Sequence, residues 1–145
     1  MQQIDLKAPR WFWAIAILLF LWNLIGLSSF IIHTFISDDE LQKLAADERA
    51  LYSEYPFWVV LLFATAVAGG LLASLGILFR KKWSQIAAVI SLMAVVPQMI
   101  HNVCFTSSIQ VYGLAQAVAM PIIVVIFALI LVWFAGFATK RNWLK

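Results

Sequence analysis

From Trp83 to Thr139 the sequence runs for 57 residues without one Asp, Glu, Lys or Arg. A soluble domain of this size cannot hide such a stretch, because burial in small domains is incomplete and much of the chain must face water. Two shorter uncharged runs precede it, Trp11–Ile36 with 26 residues and Phe57–Phe79 with 23. A helix crossing the hydrocarbon core needs about 20 largely apolar residues. The first two runs therefore give one span each, and the third gives two with a turn between them. That turn falls at Thr106-Ser107-Ser108-Ile109-Gln110, with Gly113 and Gln116 just beyond.

The expected fold is an all-α integral membrane four-helix bundle forming a single domain, with spans at 11–36, 57–79, 84–105 and 113–139. The runs are continuously apolar rather than alternating, and four strands cannot close a barrel, so strands are excluded. The overall balance agrees: the chain is 64% hydrophobic and 12% charged. Soluble domains run about 45–50% apolar and about 25% charged. A disordered chain and a disulfide scaffold are excluded on the same grounds. The first apolar run exceeds the about 7–15 residues of a signal-peptide core, and no small-x-small cleavage site follows it. It reads as a retained anchor.

The few charges are placed by rule. Lys7, Arg10, Arg80, Lys81, Lys82, Lys140, Arg141 and Lys145 fall in three segments that a four-span topology puts on one side. The first connection carries Lys43 and Arg49 but also Asp38, Asp39, Glu40, Asp47, Glu48 and Glu54. Basic segments stay cytoplasmic, so both termini are expected inside. The net charge of +3 then reflects anchoring on anionic head groups of the lipid bilayer, and nucleic acid is not an expected partner. Trp11, Trp13, Trp58, Trp83, Trp133 and Trp143 lie near span ends, where amphipathic rings favour the interface.

Residues 38–55 pattern as a short external amphipathic helix. Ser37-x-x-Glu40 is a capping box, and Leu41, Leu44, Ala45, Leu51, Tyr52 and Tyr55 recur at helical spacing before Pro56 ends the segment. Glu48 projects from the same face as Leu41, either toward water at its edge or toward a polar site at the bundle mouth. In the second span Ala66, Gly70 and Ser74, with Gly69 and Ala73, form a small-residue face suited to close helix packing in lipid. Pro97 and Pro121 fall inside spans three and four.

Polar residues in the spans form two stripes. Asn23, Gly26 and His33 share one side of span one; Gln98, His101 and Asn102 share one side of span three. Unpaired polar groups in hydrocarbon cost several kcal/mol, so both stripes should face the bundle interior. At about 1.5 Å per residue, His101 lies roughly 25 Å above Ser84 and His33 roughly 30 Å above Trp13. Both histidines thus approach the outer face, with Gln98 and Asn102 near that level and Glu48 able to hang above it. Three chemistries fit this convergence: interhelical hydrogen bonding, a small-molecule site or permeation vestibule, and ligation of a haem or metal by His33 and His101.

Absences narrow the choice. No ionisable acid or strong base lies within a span, whereas ion-coupled carriers keep one there. The lone Cys104 cannot form an intrachain disulfide. No nucleophile–base pair, phosphate-cradling loop or His-Glu-x-x-His motif is present, so no enzymatic role is assigned.

Tyr55-Pro56-x-Trp58, Ala64-x-Ala66-x-x-Gly69-Gly70, Arg80-Lys81-Lys82-Trp83 and the tail Lys140-Arg141-Asn142-Trp143-Leu144 resemble a family of small bacterial four-span inner-membrane proteins. Some of its members carry a generic sugar-transporter label. The resemblance implies a multi-pass protein of the bacterial inner membrane and a transport role; it carries over no site residues. The expectation is a protein that binds or facilitates passage of a small solute at Asn23, His33, Gln98, His101, Asn102 and Glu48, with no cofactor and no metal assigned. Four thin helices leave little central room, so a pathway is expected to need a homo-oligomer. The alternatives are a non-transporting accessory protein and a haem- or metal-binding protein.

Overall fold

The computed structural model describes residues 7–145. Among them lie seven helices: α1 Arg10–Thr34, α2 Asp38–Lys43, α3 Ala46–Ser53, α4 Phe57–Leu78, α5 Ser84–Cys104, α6 Ser108–Tyr112 and α7 Leu114–Lys140. The four long ones are each long and apolar enough to cross a membrane. They match the expected spans to within two residues at every end. The chain is a multi-pass all-α membrane protein.

Local chemistry sets the boundaries. Pro9 and Pro56 stand immediately before α1 and α4 at φ −68° and −69°, a backbone already suited to starting a helix. Helices α4 and α7 end in the same way. Lys81 N–H reaches Gly76 O at 2.7 Å and Arg80 N–H reaches Ile77 O at 2.9 Å; Trp143 N–H reaches Ala138 O and Asn142 N–H reaches Thr139 O, both at 3.0 Å. These are Schellman endings, with Arg80 and Asn142 in the left-handed region at φ 57° and 55°.

The segment 38–55, expected as one external helix, is not continuous. Leu44 and Ala45 are extended, with ψ 154° and 151°, and separate α2 from α3. Arg49 explains the break. Its guanidinium donates to the carbonyls of Leu41, Gln42 and Leu44 at 3.1, 2.8 and 3.1 Å, satisfying acceptors that a continuing helix would have used. Ser37 Oγ caps α2, accepting from Glu40 N–H at 3.2 Å.

Helix α4 is the hub: it packs against α1 and α5, and α5 packs against α7. Its small residues permit this. A Cβ at Gly69 would lie 3.1 Å from Ser91 Cβ and 3.2 Å from Ala87 O, and one at Gly70 would overlap Asn23 Oδ1 of α1. Ser91 Oγ donates across to Ala66 O at 2.6 Å, buried between α4 and α5.

Helices α1 and α7 are bridged by aromatic rings. Phe12 stacks on Phe134 at 5.4 Å and Trp22 on Phe127 at 4.0 Å. The buried residues of α1 are Phe12, Ala16 and Leu19, all in its first half. They join Ile77, Leu131, Phe134, Ala135, Ala138 and Leu144 in the main core cluster. The chain end completes this seal: Lys82 N–H donates to Lys145 O at 2.9 Å, Lys145 N–H to Arg80 O at 2.5 Å, and Arg80 Nε to Trp143 O at 2.6 Å. Trp143 sits among Trp11, Phe12 and Phe137 at 5.3, 5.6 and 5.5 Å, more a part of the seal than a free interfacial ring. The bundle is thus closed at the end bearing the basic segments and looser at the end bearing the acids.

Candidate functional site

The loosening of α1 leaves a cavity of about 220 Å³ lined by all four long helices of one chain. The stacked Trp22 and Phe127 wall it toward the basic end; Gln98 and Met120 lie toward the acidic end. Most of the lining is aliphatic or aromatic. Three polar side chains there already donate within the protein: Asn23 Nδ2 to Leu19 O at 2.8 Å, Ser29 Oγ to Ile25 O at 3.0 Å, and Ser91 Oγ to Ala66 O.

Gln98 differs. It is 4% exposed, lines the cavity, and its Oε1 has no hydrogen-bond partner. The α5 periodicity that places Ser84, Ser91 and Gln98 at seven-residue intervals puts all three among its buried residues.

A second pocket, about 250 Å³, lies at the acidic end and adjoins the first at Met120, which lines both. His33 of α1, Asn102 of α5 and Gln116 of α7 contribute polar groups. Tyr52, Tyr55 and Tyr112, the three tyrosines of the chain, all line it. Tyr55 hydroxyl donates to Asn102 Oδ1. Burial first, then neighbouring Tyr112, Glu54 and Tyr52, push the Tyr55 hydroxyl up to about 12, so it stays a donor at neutral pH.

The proposed residues therefore divide. Asn23 and Gln98 line the central cavity; His33 and Asn102 line the pocket at the acidic end. His101 is not among the lining residues of either. Its ring is buried against Trp58, Phe105 and Tyr55, with centroids 5.3, 5.7 and 6.0 Å away. The His33 ring packs on Tyr52 and on the same Tyr55, each at 4.7 Å. Both imidazoles thus reach Tyr55. Among the described residues no group of three or more His, Cys, Asp or Glu is placed to hold a metal ion.

Glu48 is half-buried on α3 and is not among the lining residues of either pocket. The acid that ties the acidic end together is Glu54. It accepts from Ser107 N–H at 2.6 Å and Ser107 Oγ at 2.7 Å, joining the first connection between long helices to the third. Those two bonds, main chain first, hold its carboxyl below the usual glutamate range. Sequence reading missed Glu54 and the tyrosines. The signal was present in part, since Tyr52 and Tyr55 flank the loop into α4 and Tyr112 closes the polar turn. Comparison with protein-family models, curated proteins and solved structures finds no match to this chain.

Proposed function

We propose that this chain is a membrane-embedded binding protein whose central cavity takes a small, mostly apolar molecule carrying one hydrogen-bond donor. The observation that carries this reading is the orphaned Gln98 Oε1 in an apolar cavity. A buried acceptor without a partner costs about 1–3 kcal/mol, and no water relieves that cost in hydrocarbon as it does at a wet surface. A bound donor removes the cost. The size fits: an apolar cavity of about 150 Å³ holds benzene, and this one is larger. A sugar, the solute implied by the family resemblance, carries several hydroxyls, whereas most of the cavity lining is aliphatic or aromatic.

The basic segments point to a cytoplasmic basic end, so the outer pocket is the approach from outside. The Phe12–Phe134 seal favours binding from that side over passage; facilitated transport would require that end to open. The test is benzyl alcohol against toluene, titrated into the chain in lipid nanodiscs with empty discs as blank. Saturable binding with a preference for benzyl alcohol, and loss of that preference in Gln98→Leu, is the expected outcome. Linear partitioning of both probes would contradict it.

A further inference from the structure

The outer pocket carries chemistry that a donor-seeking amide does not use. Three phenol rings and one imidazole wall a space of about 250 Å³, and none of its lining residues is Lys or Arg. Aromatic faces carry negative quadrupole density and attract cations, most strongly where water is partly excluded.

The surroundings share that sign. The first external connection holds six acids against two bases, and Arg49 is engaged on three carbonyls. Glu48 stands one helical turn before Leu51 and Tyr52 of the pocket wall on α3, and burial first, then Glu48, push the Tyr112 hydroxyl up. Pro121, in the pocket wall, has no N–H to give the Ala117 carbonyl four residues back, and Ala117 lines the same pocket. His33 stacks on one face of Tyr52; the wall offers the remaining aromatic surface of three tyrosines and the Ala117 carbonyl, inside a field of negative charge that concentrates cations.

We propose that this pocket is an aromatic cage for a methylated ammonium group, held chiefly by Tyr52, Tyr55 and Tyr112 with Glu48 beside them. The group arrives either on a free organic cation or as the choline head of a lipid. The proposal stands apart from the Gln98 reading: it concerns a different pocket and a different probe.

The test uses the full chain in nanodiscs of phosphatidylethanolamine and phosphatidylglycerol, titrated calorimetrically with tetramethylammonium and with neutral neopentyl alcohol. Saturable binding of the cation, with the neutral probe at least about tenfold weaker, is expected. Tyr112→Leu should weaken cation binding about threefold to thirtyfold, while Tyr112→Phe, which keeps the ring, retains it. Glu48→Gln should weaken it and flatten its salt dependence. Should Tyr112→Leu fail to fold, the probe comparison and Glu48→Gln decide alone. Lower apparent affinity in phosphatidylcholine discs identifies the lipid head as an occupant; unchanged affinity identifies the free cation. Absence of saturable cation binding, equal binding of the neutral probe, or equal damage from Phe and Leu would overturn the cage. Benzyl alcohol, titrated separately, reports on the central cavity and leaves the two proposals distinguishable.

Discussion

Replacing Gln98 with Leu separates a residue kept for a ligand from one kept for the fold. Gln98 is 4% exposed and its Oε1 has no partner within the protein. Such an orphan costs about 1–3 kcal/mol. Leucine has similar bulk and no polar atom, so the substitution removes the penalty and keeps most apolar contacts. Gln98→Leu should therefore stabilise the empty protein by about 1–3 kcal/mol, or roughly fivefold to 150-fold in the unfolding equilibrium. The same change removes a ligand hydrogen bond worth about 0.5–1.5 kcal/mol, weakening benzyl alcohol binding about twofold to twelvefold. Toluene binding should not weaken. Reversible unfolding in mixed micelles, with and without each probe, measures both effects. A Gln98→Leu protein less stable than wild type by 1 kcal/mol or more (roughly a fivefold shift) would show that the amide serves the fold, and the reasoning would fail.

Three further substitutions probe the frame around the cavities. A Cβ at Gly26 would meet nothing within 4 Å, and Gly26 lines the central cavity. Gly26→Leu should fill that space, gain about 1 kcal/mol of helix propensity and abolish benzyl alcohol binding, as read by thermal unfolding and titration. Leu144 is 1% exposed in the seal; Leu144→Ala should cost about 2–4 kcal/mol by cavity formation and speed hydrogen exchange at Lys82 and Lys145. The Glu54–Ser107 link has a lowered carboxyl pKa. Its contribution is present above the ordinary glutamate pKa and is lost as pH falls through the lowered value. The Ser107 amide resonance should titrate with a midpoint below the usual carboxylate range, and Glu54→Gln should erase that titration; a midpoint at or above the range would contradict the link.

The four spans were legible because lipid allows few solutions: an uncharged run long enough to cross is a helix, and its charged neighbours end it. Its packing face was partly legible, since small residues on α4 mark where backbones meet. The break at Leu44–Ala45 was not legible, because it depends on Arg49 folding back over three carbonyls, a contact that hydrophobic periodicity does not encode. Helix α6 was hidden for a related reason. Its polar approach, Thr106 and Ser107, reads as a turn, while its first residue, Ser108, gains order from its Oγ bond to Asn102 O at 2.8 Å.

Height along a helix follows from residue count, and both histidines lie at the acidic end, where each packs on Tyr55. Rotation about the helix axis does not follow so simply when a tyrosine from a loop inserts between stripes. Tyr55 packs on His33 and His101 alike, and the expected single cluster becomes two separate environments. The same limit separates Glu48, which helical spacing marks, from Glu54, which it does not. Helical spacing ranks residues within one segment, whereas Glu54 acts across 53 residues on Ser107.

The most direct test of the central claim is where a bound probe sits. Benzyl alcohol titrated into the chain in nanodiscs, with side-chain amide labelling of glutamine, should shift the Gln98 amide resonances saturably and give intermolecular cross-peaks from the probe ring to Trp22 and Phe127. Cross-peaks confined to lipid-facing residues such as Leu18 and Ile130, with no saturable shift at Gln98, would contradict it.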